Sequence, residues 1–134
     1  MGNRAPTTRT RVSGLFAFLG DGMETFELGL VFSTTGPYAA LGQAARVGAD
    51  LAIADLEREG VARILPVHRD PGGRPEDYEA MTAEILRAGV SHVVGAITSW
   101  SRKDMIPVLE RFGGMLWYPC PYEGFESNDH VVYM

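Results

Sequence analysis

The sequence predicts an α/β fold, a three-layer sandwich in which helices cover both faces of a parallel, flavodoxin-like or Rossmann-like sheet. The length of 134 residues and the hydrophobic content of 46% fit one globular domain. Short apolar runs typical of strands alternate with stretches whose apolar residues recur at helical spacing. The connections between these segments are short, and such an alternation favours parallel strands joined by helices.

Five strands are predicted, each from a short apolar run bounded by turn residues. They cover residues 26–32, 64–68, 91–97, 115–118 and 130–133. Pro66 lies within the second run. Because proline cannot donate a hydrogen bond to a neighbouring strand, Pro66 favours an edge position for that strand.

Three helices are predicted between the strands. The first covers residues 39–59 and carries a helical stripe formed by Ala44, Val47, Leu51 and Ala54. The second begins at Pro75, and its predicted buried face consists of Tyr78, Met81, Ile85 and Ala88. The third begins near a capping-box-like pair, Ser101 and Asp104, and its stripe consists of Met105, Val108, Leu109 and Phe112. Pro107 is expected to bend or delay this helix.

Composition and charge exclude several classes of function. No apolar run approaches the roughly 18 residues that a membrane span needs, so no membrane insertion is expected. The net charge of −5 leaves no basic face for nucleic acid. Cys120 is the only cysteine and the three histidines are scattered, so no disulfide, metal site or cofactor is predicted.

Residues 1–25 are predicted to be a leader outside the domain, which covers residues 26–134. Arg4, Arg9 and Arg11 precede a short apolar segment, as in a weak secretory signal, but no Ala-x-Ala-like cleavage site follows. The other interpretation is a disordered or mis-started leader with the true start at Met23. The missing cleavage site favours a cytoplasmic protein, and a functional signal peptide would instead place it in the periplasm.

Topology alone locates the site, because ligands of parallel α/β sheets bind beyond the carboxyl ends of the strands. The dinucleotide and P-loop glycine patterns are absent there, and so are the acids of a phosphorylated receiver domain. The run 68–70 spells His-Arg-Asp as in kinases but lacks their other motifs. Cys120 has no visible histidine partner, so no catalytic residue is predicted. An enzyme that acts through the Cys120 thiol is a separate alternative.

The polar groups that remain suit a carbonyl or carboxylate oxygen. Thr98, Ser99 and Ser101 offer hydroxyl groups, and the third helix begins there with unpaired backbone N–H groups. Tyr118 and Tyr122 have the size and the phenolic groups to form the walls of a small pocket. The pattern equally allows a purely structural role, in which the serines cap the helix and Tyr118 fills the core.

Three motifs resemble the amide- and urea-binding branch of the type I periplasmic-binding-protein family. They are the run from Thr98 to Lys103, the run 70–73 (Asp-Pro-Gly-Gly), and the run 116–126 with its Tyr-Pro-x-Pro-Tyr-Glu-Gly-Phe-Glu pattern. The resemblance covers about residues 27–133. The family includes the amide sensor that regulates aliphatic amidase operons and the urea-binding component of ABC transporters. Pro121 and Phe125 make this run resemble the amide sensor more than the urea-binding component.

The resemblance implies two lobes hinged around a cleft that encloses the ligand, and the chain corresponds to the first lobe, with the second absent. It implies non-catalytic binding of a small aliphatic amide or urea, by a sensor and negative regulator of amidase expression or by a transporter's substrate-binding protein. The implied partner is then a transcription antiterminator or an ABC permease. The ligand-binding residues it implies are Ser99, Tyr118, Cys120, Thr98, Pro121 and Tyr122.

The sequence leaves two points open. Cys120 stands where the amide sensor has threonine and urea binders usually have valine, and a thiol is a weak hydrogen-bonding group. The alternative function is a truncated interaction or dimerisation module with no ligand of its own, since a lobe without its partner would expose apolar surface and form a homodimer.

Overall fold

The computed structural model describes residues 17–18, 22–122 and 124–134. The strands are β1 (Ala17–Phe18), β2 (Glu24–Val31), β3 (Arg63–Arg69), β4 (His92–Gly95), β5 (Met115–Tyr118) and β6 (Val131–Tyr133). The helices are α1 (Ala39–Arg58), α2 (Pro75–Arg87) and α3 (Ser99–Phe112). Most of the predicted leader lies outside the described residues, so its two interpretations remain predictions.

Five parallel strands form the sheet in the order β3, β2, β4, β5, β6, and β1 adds a short antiparallel pairing to the start of β2. This is the flavodoxin-like strand order, which confirms the predicted α/β fold. Among the described residues β3 pairs with β2 alone, so its predicted edge position is also confirmed. Pro66 lies opposite Leu28 in that pairing.

One face of the sheet packs on α2 and α3 and forms the core. Val31, Val93 and Leu116 project from this face and are fully buried together with Ile85 of α2 and Leu109 of α3. The predicted stripe of α3 is buried, except that Phe112 is half-buried. On α2 the prediction was partly wrong, because Ala88 is exposed and Met81 half-buried. Since α2 packs on both the sheet and α3, its buried face widens to Thr82, Ala83 and Leu86.

Among the described residues, α1 covers the opposite face beside β3. An open apolar groove of about 340 Å³ remains on this face, and we call it the apolar groove. Its lining includes Phe26, Leu28, Ile64, His92, Val94 and Trp117.

The helix α1 forms as predicted, but its apolar stripe faces outward. Val47 and Leu51 are 57% and 62% exposed, and Ala44 and Ala54 are exposed too. The small residue Gly42 instead sits at the buried contact with the β2 end. The helix is apolar on two sides, and the described residues cover only one of them. None of the described helices is long and apolar enough to cross a membrane.

Candidate functional site

The loops that follow β2 and β3 are clamped together by one carboxylate. Asp70 Oδ1 accepts hydrogen bonds from the backbone N–H groups of Thr34 (3.0 Å) and Gly72 (2.9 Å), and its Oδ2 accepts one from Thr34 Oγ1 at 2.9 Å. Burial alone would raise the pKa of Asp70, but the hydrogen bonds from Gly72, Thr34 and Thr35 outweigh it and lower that pKa. The carboxylate therefore stays ionised and holds the two loops together.

A second contact joins the same corner to α2. Ser33 Oγ lies 2.7 Å from the Tyr78 hydroxyl oxygen and accepts the Gly73 N–H at 2.8 Å. The loops approach so closely that a Cβ on Gly36 would overlap the Gly72 carbonyl oxygen. Gly36 also has a φ of 78°, in the region that favours glycine.

The beginning of α3 leaves two backbone donors and one hydroxyl available. The first intrahelical hydrogen bond runs from the Arg102 N–H to the Thr98 carbonyl (3.1 Å), so the Ser99 and Trp100 N–H groups precede it. Ser99 is the first residue of α3 and is exposed, and its hydroxyl has no hydrogen bond within the described part of the chain. A carbonyl or carboxylate oxygen fits this arrangement.

The helix cap differs from the prediction. Thr98 is the N-cap and its Oγ1 accepts the Ser101 N–H at 3.3 Å, while the buried Ser101 hydroxyl donates to the Thr98 carbonyl at 2.9 Å. The predicted Ser101–Asp104 capping box was therefore wrong, and α3 starts three residues earlier than that cap would place it. Because Thr98 has extended backbone angles, it forms the cap one turn ahead, and Pro107 lies inside the helix without delaying its start.

Trp100 connects the start of α3 to the two other helices. Its ring meets the Tyr78 ring edge-on at 5.6 Å between centroids and lies 6.0 Å from the Tyr38 ring. No role was predicted for Trp100 from the sequence. The ring therefore packs between the N-cap residue of α1 and the first turn of α2.

A cluster of aromatic rings surrounds one buried arginine on the other side of α3. Arg102 is 2% exposed, and its guanidinium carbon lies 4.7 Å from the Tyr118 ring centroid, 4.8 Å from Tyr122 and 5.6 Å from Tyr133. Its Nε and Nη2 donate to the two carboxylate oxygens of Glu126 at 2.9 and 3.4 Å. We call these five residues the Arg102 cluster. Sequence analysis named Arg102 only within a motif, because the partners of a buried arginine depend on tertiary contacts.

The predicted tyrosines lie in this cluster. Tyr118 is 3% exposed, and burial, followed by the charge of Cys120, raises the pKa of its phenol. Tyr122 stacks on Tyr133 at 4.5 Å, and its hydroxyl accepts the Glu126 N–H. Cys120 is half-buried and Pro121 is exposed, just beyond β5. The structure thus gathers Tyr118 and Tyr122 around Arg102 and leaves Ser99 exposed; contact of these residues with a ligand stays a prediction.

No group of three histidine, cysteine or acidic residues is placed to hold a metal ion in the ranges that the structure describes.

Comparison with known proteins relates this fold to periplasmic binding proteins. A family model described as a periplasmic binding protein domain matches residues 26–134. The chain is similar to the branched-chain amino acid transporter substrate-binding protein LivJ from Streptococcus pneumoniae, solved with isoleucine, at 25% identity and a TM-score of 0.75. That match covers 81% of this chain and 33% of LivJ.

Two proteins from Rhodopseudomonas palustris share the fold. One is a branched-chain amino acid ABC transporter protein, at 19% identity and a TM-score of 0.69 over 80% of this chain and 31% of that one. The other is a solute-binding protein solved with 4-hydroxybenzoate, at 23% identity and a TM-score of 0.60 over 69% of this chain and 26% of that one. The chain spans about a third or less of the length of these proteins.

Proposed function

Because this chain belongs to the periplasmic binding protein family, we propose that it binds a small aliphatic amide or urea without transforming it. The protein then acts as a sensor and negative regulator of amidase expression, or as the substrate-binding protein of an ABC transporter. An antiterminator-type regulator or a permease is its partner in these two roles. The family and the structural neighbours are substrate-binding proteins, which supports binding rather than catalysis.

The observation that carries the proposal is the exposed start of α3. The Ser99 hydroxyl and two N–H groups precede the first intrahelical hydrogen bond, at the carboxyl edge of the sheet. The helix dipole adds partial positive charge at the same point. A carbonyl oxygen accepts such hydrogen bonds without bringing in a charge that needs a counterion.

The charges around the cleft support a neutral ligand. An amino acid would also need an acceptor for its ammonium group. The two carboxylates described beside the site are engaged, since Asp70 holds the loops after β2 and β3 and Glu126 pairs with Arg102. Neither Asp70 nor Glu126 is therefore available to accept a hydrogen bond from a ligand's ammonium group.

A branched-chain amino acid is the second candidate ligand. The LivJ structure, at 25% identity, holds isoleucine. An amino-acid carboxylate would suit the start of α3 as well as a carbonyl oxygen does. The two candidates differ in the ammonium group, so a titration that compares them separates the hypotheses.

Affinity is expected to be weak. A four-heavy-atom amide gains at most about −6 kcal/mol at roughly −1.5 kcal/mol per atom, which corresponds to tens of micromolar. A single lobe supplies one wall of the cleft, and losing about half of that energy leaves millimolar binding.

The test is isothermal titration calorimetry of the chain with acetamide, butyramide, urea, isoleucine and acetate, each up to tens of millimolar in the cell. We expect saturable heat from acetamide, butyramide or urea, and none from isoleucine, because its ammonium group lacks an acceptor here. Acetate shows how far a carboxylate alone suffices. Saturation by isoleucine alone would support the amino-acid candidate. Flat titrations for all five compounds would support the alternative of an interaction module without a ligand.

We propose the cytoplasm as the location, in keeping with a regulator. Amino-terminal sequencing of the natural protein tests this point. A start at Met23 or an intact leader agrees with it, whereas a cut between the apolar segment and residue 26 would assign the protein to the periplasm.

A further inference from the structure

One guanidinium joins four separate points of the fold in the Arg102 cluster. Arg102 stands in the first turn of α3, Tyr118 ends β5, and Tyr133 ends β6, while Tyr122 and Glu126 lie on the connection between those strands. All four partners contact the guanidinium, through ring faces or through the carboxylate. Arg102 thereby crosslinks the connection after β5 to the start of α3.

The partners also hold one another. The Tyr133 hydroxyl donates to Glu126 Oε1 at 2.9 Å, and Tyr122 contacts both the Tyr133 ring and the Glu126 backbone. The hydrogen bond from Arg102 and then that from Tyr133 lower the pKa of Glu126 against the effect of its burial. The carboxylate is therefore ionised at neutral pH and pairs with the guanidinium as a bidentate acceptor.

These few contacts stabilise the buried positive charge of Arg102. Its Nη1 is buried and has no hydrogen-bond partner within the described residues. A buried cation is costly unless it is paired, so the stabilisation of this one comes from Glu126 and the three rings. If the Glu126 carboxylate or the ring contacts are lost, we expect the contacts between Arg102 and the connection after β5 to be lost as well.

We propose that Arg102 is a positioning residue, which fixes the segment carrying Tyr118, Cys120 and Pro121 against the start of α3 and so sets the shape of that cleft wall. The consequence for ligand affinity rests on the proposed function, but the fixed position of Cys120 does not. Cys120 follows Tyr118 by two residues and is the only thiol of the chain. Its reactivity therefore reports the state of this wall without any ligand.

The experiment compares Arg102→Met and Glu126→Gln with a matched control, Arg111→Met. Arg111 is an exposed arginine of the same helix whose guanidinium lies 5.5 Å from the Phe112 ring, outside the cluster. Iodoacetamide labelling of Cys120 is followed by mass spectrometry far below the melting temperature, with circular dichroism confirming that each variant is folded. Acetamide affinity is measured on the same samples.

We expect Arg102→Met and Glu126→Gln to speed Cys120 labelling by about fivefold or more, the effect of losing one ring–cation contact or ion pair. Acetamide should bind about fivefold more weakly to both, and Arg111→Met should match the wild type in both measurements. Glu126→Gln keeps the test decisive if Arg102→Met does not fold.

Wild-type labelling rates in folded Arg102→Met and Glu126→Gln would overturn the proposal. A purely stabilising role would give that outcome, because it would lower the melting temperature and leave Cys120 of the folded protein unchanged. If Cys120 of the two variants is labelled faster but the wild type does not bind acetamide, the positioning role of Arg102 is supported and the proposed ligand is refuted.

Discussion

Ser99 and Ser101 of α3 have different expected roles, since one hydroxyl is free to bind a ligand and the other supports the fold. Ser99 is exposed and makes no described side-chain hydrogen bond, whereas the buried Ser101 hydroxyl bonds Thr98. We predict that Ser99→Ala weakens acetamide binding about fivefold, the worth of one neutral hydrogen bond, and leaves the melting temperature unchanged. Ser101→Ala should instead lower the free energy of unfolding by about 1 kcal/mol.

Calorimetry and thermal denaturation of both variants check this pair. If Ser99→Ala bound acetamide as tightly as the wild type, the hydroxyl would have no part in the site, and the interpretation of Ser99 as a simple helix residue would be correct.

Asp70 predicts a pH dependence of stability. Its folded-state pKa is lowered by the hydrogen bonds from Gly72, Thr34 and Thr35, in spite of burial. The contribution of this group to stability is thus complete above its unfolded pKa and is lost as the pH falls through the lowered folded value. We predict that Asp70→Asn is less stable than the wild type by about 1–2 kcal/mol at pH 6, and that the difference shrinks towards pH 3.

Urea denaturation at several pH values measures this difference. A gap between wild type and Asp70→Asn that stays constant from pH 6 to pH 3 would show that the charge of Asp70 does not hold the two loops.

At the scale of elements, two glycines of α1 form a matched pair. A Cβ on Gly42 would overlap the Ser33 carbonyl oxygen, whereas a Cβ on Gly48 meets nothing within 4 Å. We predict that Gly48→Ala stabilises the protein by about 0.5–1 kcal/mol through helix propensity. Gly42→Ala should destabilise it by about 1–3 kcal/mol, because α1 must move away from the β2 end.

Equilibrium unfolding of the two alanine variants measures both values. Equal stabilisation by both substitutions would mean that α1 does not approach the end of β2 as closely as described.

The elements were largely predictable because their signals are local. The alternation of apolar runs predicted where strands and helices lie along the chain, and β5 has the predicted bounds. The cap of α3 was missed because Thr98 and Ser101 are both good capping residues, and only the backbone angles distinguish them. The exposed stripe of α1 was missed because periodicity shows that a face is apolar but not which element covers it.

The sequence predicts where the proposed site lies but not the contacts within it. The rule for parallel sheets located it at the strand ends, and Ser99 lies there as expected. The Arg102 cluster joins residues up to 31 positions apart, from Arg102 to Tyr133, and no short-range pattern encodes such contacts. The clamp formed by Asp70 likewise spans the gap between two loops.

The whole molecule presents an apolar groove on one face of its sheet. Trp117 is 38% exposed there, and its indole N–H donates to His92 Nδ1 at 3.2 Å. Since exposed apolar patches drive association, we predict that the chain forms homodimers through this groove and that Trp117→Lys makes it monomeric. The control is Leu65→Lys, an exposed apolar residue outside the groove.

Sedimentation-velocity centrifugation across a range of concentrations checks the association. Identical behaviour of wild type and Trp117→Lys would exclude the groove as the contact surface.

We propose that a neutral carbonyl group binds where α3 begins, and NMR spectroscopy follows the N–H groups at that point one by one. In a titration of the ¹⁵N-labelled chain with acetamide, we expect saturable shifts of the Ser99 and Trp100 N–H signals, with smaller changes at the opposite end of the sheet. Saturable shifts confined to the apolar groove, or none at Ser99 and Trp100, would contradict it.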